Sequence, residues 1–138
     1  MAGENYARQE DMDAILAMNS IAVVGLSSEP FRPSYGVARY MQHAGYDIFP
    51  VNPNEVEVLG KPAFASLREL PVPPDVVDVF RRPEFVDAVV DDAIASGAKA
   101  LWLQQGVVNV AAARRAREAG LLVVMDRCIM VEHANRDR

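Results

Sequence analysis

The chain has 138 residues, 51% of them hydrophobic and 24% charged, with a net charge of −5. That length suits one domain with its own core, and the acidic balance excludes a sequence-independent nucleic-acid binder, which needs a basic face. One cysteine and two histidines leave no internal disulfide and no expected multi-ligand metal site.

The opening "MAGENYARQEDMD" is polar and acidic without a signal-peptide core. No later run is long enough to span a membrane, so a cytoplasmic location is expected. A first helix is predicted over about Asp11–Met18, packed at an edge of the sheet. The apolar run Ile21–Val24 follows, short and without polar alternation, as in strands buried on both faces. It ends at Gly25, which suits a sharp turn and close backbone approach. In the loop beyond, Ser27 and Ser28 bring hydroxyls and N–H groups, and Arg32 brings a positive charge. Ser34, Tyr35 and Gly36 open a helix predicted to run to Gly45, and unpaired N–H groups at such a start favour an anion.

The second strand, Tyr46–Val51, runs into Asn52, Pro53 and Asn54. NAD-binding units carry an Asp or Glu near this point and two further glycines in the first loop. Both are missing, so an NAD(P)-linked regulator or oxidoreductase domain is only a lesser alternative. The stretch "NPNEVEVLGKPAFASLRELPVPPD" reads as a loop with a short extended hairpin, then one helical turn around Ser66–Leu70. The third strand, Val76–Phe80, runs into Arg81 and Arg82, whose guanidinium groups suit oxyanions; pairing of Arg82 with Glu84 or Asp87 is the competing use. A helix from Pro83 to Gly97 leads to the fourth strand, Ala100–Leu103, which ends in Gln104, Gln105 and Gly106. Trp102 is assigned to the core. A helix capped by Asn109 and stopped at Gly120 precedes the fifth strand, Leu121–Met125. After it come Asp126, Arg127 and Cys128, and "HANRDR" reads as a polar tail. Cys128 is either an inert buried thiol or one activated by Arg127, and Asp126 either pairs with Arg127 or does chemistry.

This alternation predicts an α/β, Rossmann-like doubly wound fold with a mainly parallel five-stranded sheet in the order 3-2-1-4-5 and helices on both faces. One domain spans 1–138, with its core at about 11–133. Ligands of such sheets bind beyond the carboxyl ends of the strands, where all the loop residues above converge. Catalytic groups are scarce. There is no nucleophile elbow or Walker loop, His43 falls within a helix and His133 in the tail. Cys128 is the only weak catalytic candidate. A receiver domain is excluded, because Phe80–Arg81 stand where its phospho-accepting aspartate belongs.

The blocks "IAVVGLSSEPFRPSYGVARYM", "GYDIFPVNPNEVEVLGKPAFASLREL", "VDVFRRPEF", "ALWLQQGVVN" and "AGLLVVMDRCIMVEH" resemble those of the small stand-alone CoA-binding domain proteins. These are similar to the N-terminal domain of the succinyl-CoA synthetase alpha subunit. The resemblance runs from about Ile15 to His133. It implies coenzyme A, free or as an acyl-CoA, as the ligand. Its contacts would come from the glycine loop Gly25–Pro30, from Asn52–Asn54, from the wall at Phe80–Arg82 and from Leu103–Gln105. The ribose 3′-phosphate of CoA accounts for the missing carboxylate, which would repel it. The synthetase's phosphohistidine lies in a second domain and matches neither His43 nor His133, so the resemblance implies a ligand without a reaction. A mixed disulfide between Cys128 and CoA is the alternative that involves chemistry. Apolar helix surface permits a homodimer or a protein partner.

Overall fold

The computed structural model describes residues 4–136; the first three residues and the last two of the expected polar tail lie outside them. Helix α1 (Gln9–Leu16) leads into β1 (Ser20–Val24), α2 (Pro33–His43) and β2 (Asp47–Val51). A hairpin follows, β3 (Glu57–Val58) with β4 (Lys61–Pro62), and then a 3-10 turn at Leu67–Glu69, as the loop's composition predicted. The chain continues through β5 (Val76–Val79), a 3-10 turn at Pro83–Phe85, α3 (Val86–Ser96), β6 (Ala100–Leu103), α4 (Val110–Glu118), β7 (Leu122–Met125) and α5 (Ile129–Asn135). Asn109 caps α4 as expected, its side chain accepting from the Ala112 N–H at 3.1 Å.

The five long strands form one parallel sheet, but its order is β2-β1-β5-β6-β7. Counted along the chain this is 2-1-3-4-5, not the predicted 3-2-1-4-5. The reason lies in two strands. Every residue of β5 is buried, which an edge position would not allow. In β2, Asp47 is exposed and Pro50 has no N–H to give to a ladder, so this strand belongs at an edge. There the Phe64 N–H reaches the Pro50 carbonyl at 2.9 Å and the Asn52 N–H reaches Phe64 at 2.8 Å, closing the exposed side.

Alternate residues of each strand feed two cores. Ala22, Val24, Val77, Val79, Leu101, Leu103 and Val123 face α3 and α4. Ile21, Val23, Val76, Ala100, Trp102 and Val124 face α1, α2 and α5. Trp102 is fully buried, and its indole N–H donates to the Arg127 carbonyl at 2.8 Å. Of the residues read as a polar tail, 133–135 instead close α5, which is pinned by the buried Ile129 and by His133. The His133 ring meets Tyr40 and Tyr46 edge-on, at centroid distances of 5.4 and 5.7 Å, and Nδ1 lies 2.9 Å from the Tyr40 hydroxyl.

One residue breaks the apolar pattern. Asp78 sits in β5 between Val23 and Trp102 in register, and it is only 1% exposed. Its Oδ1 has no hydrogen-bond partner among the described residues. Burial pushes the carboxyl well above its ordinary range, although the Val79 N–H works the other way.

Candidate functional site

The observed order moves the topological switch point to the gap between β1 and β5, and the crevice of a doubly wound sheet opens there. Gly25 stands at this gap. Its N–H donates to the Val51 carbonyl at 2.8 Å and its φ is +88°. A Cβ on it would lie 2.4 Å from the Phe80 carbonyl oxygen. The close approach that demands glycine is therefore to the main chain of the neighbouring strand.

Beyond Gly25 the loop largely satisfies itself. The Ser27 N–H donates to Ser34 Oγ at 3.1 Å, and the Glu29 N–H to Ser27 Oγ at 3.0 Å. Ser34 is thus buried as a brace for the loop and does not cap α2, which starts from Arg32 and Pro33. The Ser28 N–H is taken by Glu55 Oε2 at 2.7 Å. Asn52 clamps the two loops: its Nδ2 donates to the Leu26 carbonyl at 3.0 Å and its Oδ1 accepts from Asn54 N at 2.9 Å.

A groove of about 1130 Å³ runs along the strand ends, above the roughly 300–1,000 Å³ usual for drug-sized ligands. Gly25, Ser27, Arg32 and Ser34 line it from the first loop, and Asn52 and Asn54 from the second. Phe80, Arg81 and Arg82 form one wall; Gln104, Gln105, Gly106 and Cys128 form the far end. A smaller pocket of about 220 Å³ shares Gly25 and Arg81 with it and has an apolar wall of Val24, Val51, Leu67 and Val89, with Pro53 at its mouth. Ser28, Pro30, Tyr35 and Gly36 line neither space. Tyr35 packs toward the core beneath α2, and the Leu103 side chain is fully buried, so only its main chain reaches the edge.

The charges of the groove are its most informative feature. Arg32, Arg81 and Arg82 have no carboxylate within ion-pair distance among the described residues, a state they share with Arg39 on α2 outside the groove lining, whereas Arg8, Lys61, Arg68, Lys99, Arg114, Arg115, Arg117 and Arg127 all have one. The competing pairing of Arg82 with Glu84 or Asp87 is absent among the described residues, and Asp87 pairs instead with Arg115 at 3.2 Å. Arg81 lies instead over the Phe85 ring at 4.8 Å, and Arg32 near the Phe31 ring at 5.7 Å.

At the far end, Gln104 is 4% exposed. Its Oε1 accepts from the Ile129 N–H at 3.0 Å, which leaves Nε2 without an acceptor among the described residues. Cys128, half-buried, is the N-cap of α5. Asp126 does not pair with Arg127. At φ +63° it accepts from the Gly106 N–H at 2.8 Å, and Arg127 is 3.9 Å from Glu132.

Sequence reasoning missed Pro33, Val37, Glu55, Pro83 and Val107, which also line the groove. Val107 follows a glycine and Val37 repeats at helical spacing, so both read as core. The parallel pairing of β1 with β2 sets their following loops side by side and so brings Glu55 to Ser28, 27 residues away in the chain.

The protein-family model described as CoA binding domain matches residues 19–134. The chain is 44% identical over 131 residues to the uncharacterized protein YneT of Bacillus subtilis (strain 168), covering 95% of this chain and 97% of that one. A solved structure of a hypothetical protein from Pyrococcus horikoshii OT3 matches with a TM-score of 0.89 and 38% identity, over 97% of this chain and 96% of that chain. The alpha subunit of the ADP-forming acetate–CoA ligase II of Pyrococcus furiosus is 29% identical over 89 residues, 64% of this chain but only 20% of that subunit.

Proposed function

The chain belongs to the CoA-binding domain family, and from that premise we propose that it binds coenzyme A, free or acylated, along the groove at the strand ends. The observation that carries this reading is the gathering of Arg32, Arg81 and Arg82 on one groove without carboxylate partners, in a chain whose net charge is −5. Unneutralised guanidinium groups held together suit a ligand with several phosphates. In this reading the three arginines hold the pyrophosphate and ribose phosphate, and Ser27 adds its hydroxyl. The smaller apolar pocket beside Pro53 and Arg81 receives the adenine. The pantetheine arm runs toward Gln104–Gly106, where the free Nε2 of Gln104 offers a donor to an amide carbonyl. Bound there, CoA would supply a thiol able to carry an acyl group; the residues of this chain bind and orient.

Arg81→Ser with Arg82→Ser should weaken CoA binding by about tenfold per arginine, with the circular dichroism spectrum unchanged. NADH should fail to displace CoA in competition. Unchanged CoA affinity in the double variant would contradict the reading, and displacement by NADH would favour the NAD(P) alternative.

A second reading rests on Cys128 lining the same groove. Its thiolate would attack one sulfur of CoA disulfide; the S–S bond breaks, a protein–CoA mixed disulfide forms and CoA thiolate leaves. Mass spectrometry after incubation with CoA disulfide should then show an adduct that Cys128→Ser abolishes. A wild-type protein without any adduct removes this reading and leaves the first intact.

A further inference from the structure

The most exposed stretch of the glycine loop is held by a carboxylate. Ser28 donates its N–H to Glu55 Oε2 at 2.7 Å, while the neighbouring N–H groups of Ser27, Glu29 and Arg32 are satisfied inside the loop or at its helix. Glu55 lines the same groove as Arg32, Arg81 and Arg82, yet it forms no ion pair with any of them among the described residues. A negatively charged oxygen accepting from a loop N–H is the arrangement a phosphate oxygen makes in such a site. The segment that carries Glu55 is tied beyond it at Val56, whose carbonyl accepts from the Ala63 N–H at 2.9 Å, and before it at its base. There Asn52 Nδ2 holds the Leu26 carbonyl at 3.0 Å, and the Glu55 N–H turns back to the Asn52 carbonyl at 3.2 Å. Between these two ties the Val56 side chain is 88% exposed, so packing there does little to hold the Glu55 side chain in place.

Resting on the CoA reading above, we propose that Glu55 is a ligand-displaceable strap. In the empty groove its carboxylate stands on the Ser28 N–H in place of a phosphate oxygen and fastens the β2–β3 loop to the β1–α2 loop. A phosphate arriving beside the three arginines takes over that N–H. Like-charge repulsion then drives the Glu55 side chain away, while the main chain stays tied at Asn52 and Val56. Glu55 thus competes with the ligand and lowers its affinity, and binding unfastens the β2–β3 loop from the β1–α2 loop at Ser28.

The test is a calorimetric titration of CoA into the wild type, Glu55→Gln and Glu55→Ala, with hydrogen exchange followed at Ser28. Both variants should bind CoA about tenfold more tightly than the wild type. Without ligand, the Ser28 amide should exchange faster in Glu55→Ala. Equal or weaker CoA binding in both variants overturns the strap and leaves the CoA reading standing, as does a Ser28 amide whose exchange ignores the substitution. No saturable CoA binding in any of the three overturns the reading of the site, and the strap's role falls with it.

Discussion

Gly25→Ala is expected to lower the melting temperature by on the order of 10 °C and to abolish CoA binding, while Gly36→Ala leaves both close to wild type. The added Cβ at Gly25 would sit 2.4 Å from the main-chain oxygen of Phe80, the residue after β5, which cannot rotate aside, and the residue's φ is +88°. Left-handed backbone costs a non-glycine residue about 1–2 kcal/mol, and forcing atoms into a packed site adds about 1–3 kcal/mol. The strain falls at the β1–β5 gap, so it separates the first loop from the Phe80–Arg82 wall. At Gly36, in the first turn of α2, an added Cβ meets nothing within 4 Å and φ is ordinary, so alanine is tolerated there or slightly stabilising. Thermal unfolding of the two variants by circular dichroism checks the contrast. Equal melting temperatures would contradict the packing described at the switch point.

Asp78→Asn is expected to change how stability depends on pH. Burial raises the folded-state pKa of Asp78 well above the ordinary 3.8. Between those two values the folded state holds a proton that the unfolded chain has released. The stability associated with that proton is complete below the unfolded pKa and is lost as pH rises through the folded one. Relative to the wild type, Asp78→Asn should therefore gain about 1.4 kcal/mol per pH unit over the window above the unfolded value and below the folded one. Below the unfolded value the difference should be flat. Urea unfolding of both proteins from pH 3 to pH 7 measures this, and a pH-independent difference would show that Asp78 titrates alike in both states. The lone Oδ1 makes the residue unusual for so central a strand, and amide for carboxyl is the closest change in shape.

Most of the fold was legible because its signals are local. Short apolar runs without polar alternation marked each long strand to within a residue at either end. Gly97, Gly120 and the Asn109 cap marked helix ends. Strand order was not read correctly, since the ordering depends on which strands tolerate an edge. Pro50 and the exposed Asp47 in β2 carried that information, but their weight shows only once β5 is known to be buried along its whole length. α5 was missed because it has a single buried anchor, Ile129, only four residues past the end of the last strand, and its later polar residues resemble a tail. In the groove, the arginines and glutamines were visible because strand ends point to them. The bonding of the serines was not. Ser27, Ser28 and Ser34 carry the right groups for an anion, yet most of those groups are spent on the loop itself. Glu55, which holds the Ser28 N–H, comes from the loop after β2, and its place depends on the pairing of β2 with β1, which no local pattern fixes.

The measurement that bears most directly on the CoA reading is a calorimetric titration of CoA into the wild-type protein at two salt concentrations. Saturable binding at one site per chain is predicted, weaker at the higher salt because three unpaired arginines meet the phosphates. A folded protein that gives no saturable heat at either concentration would contradict it.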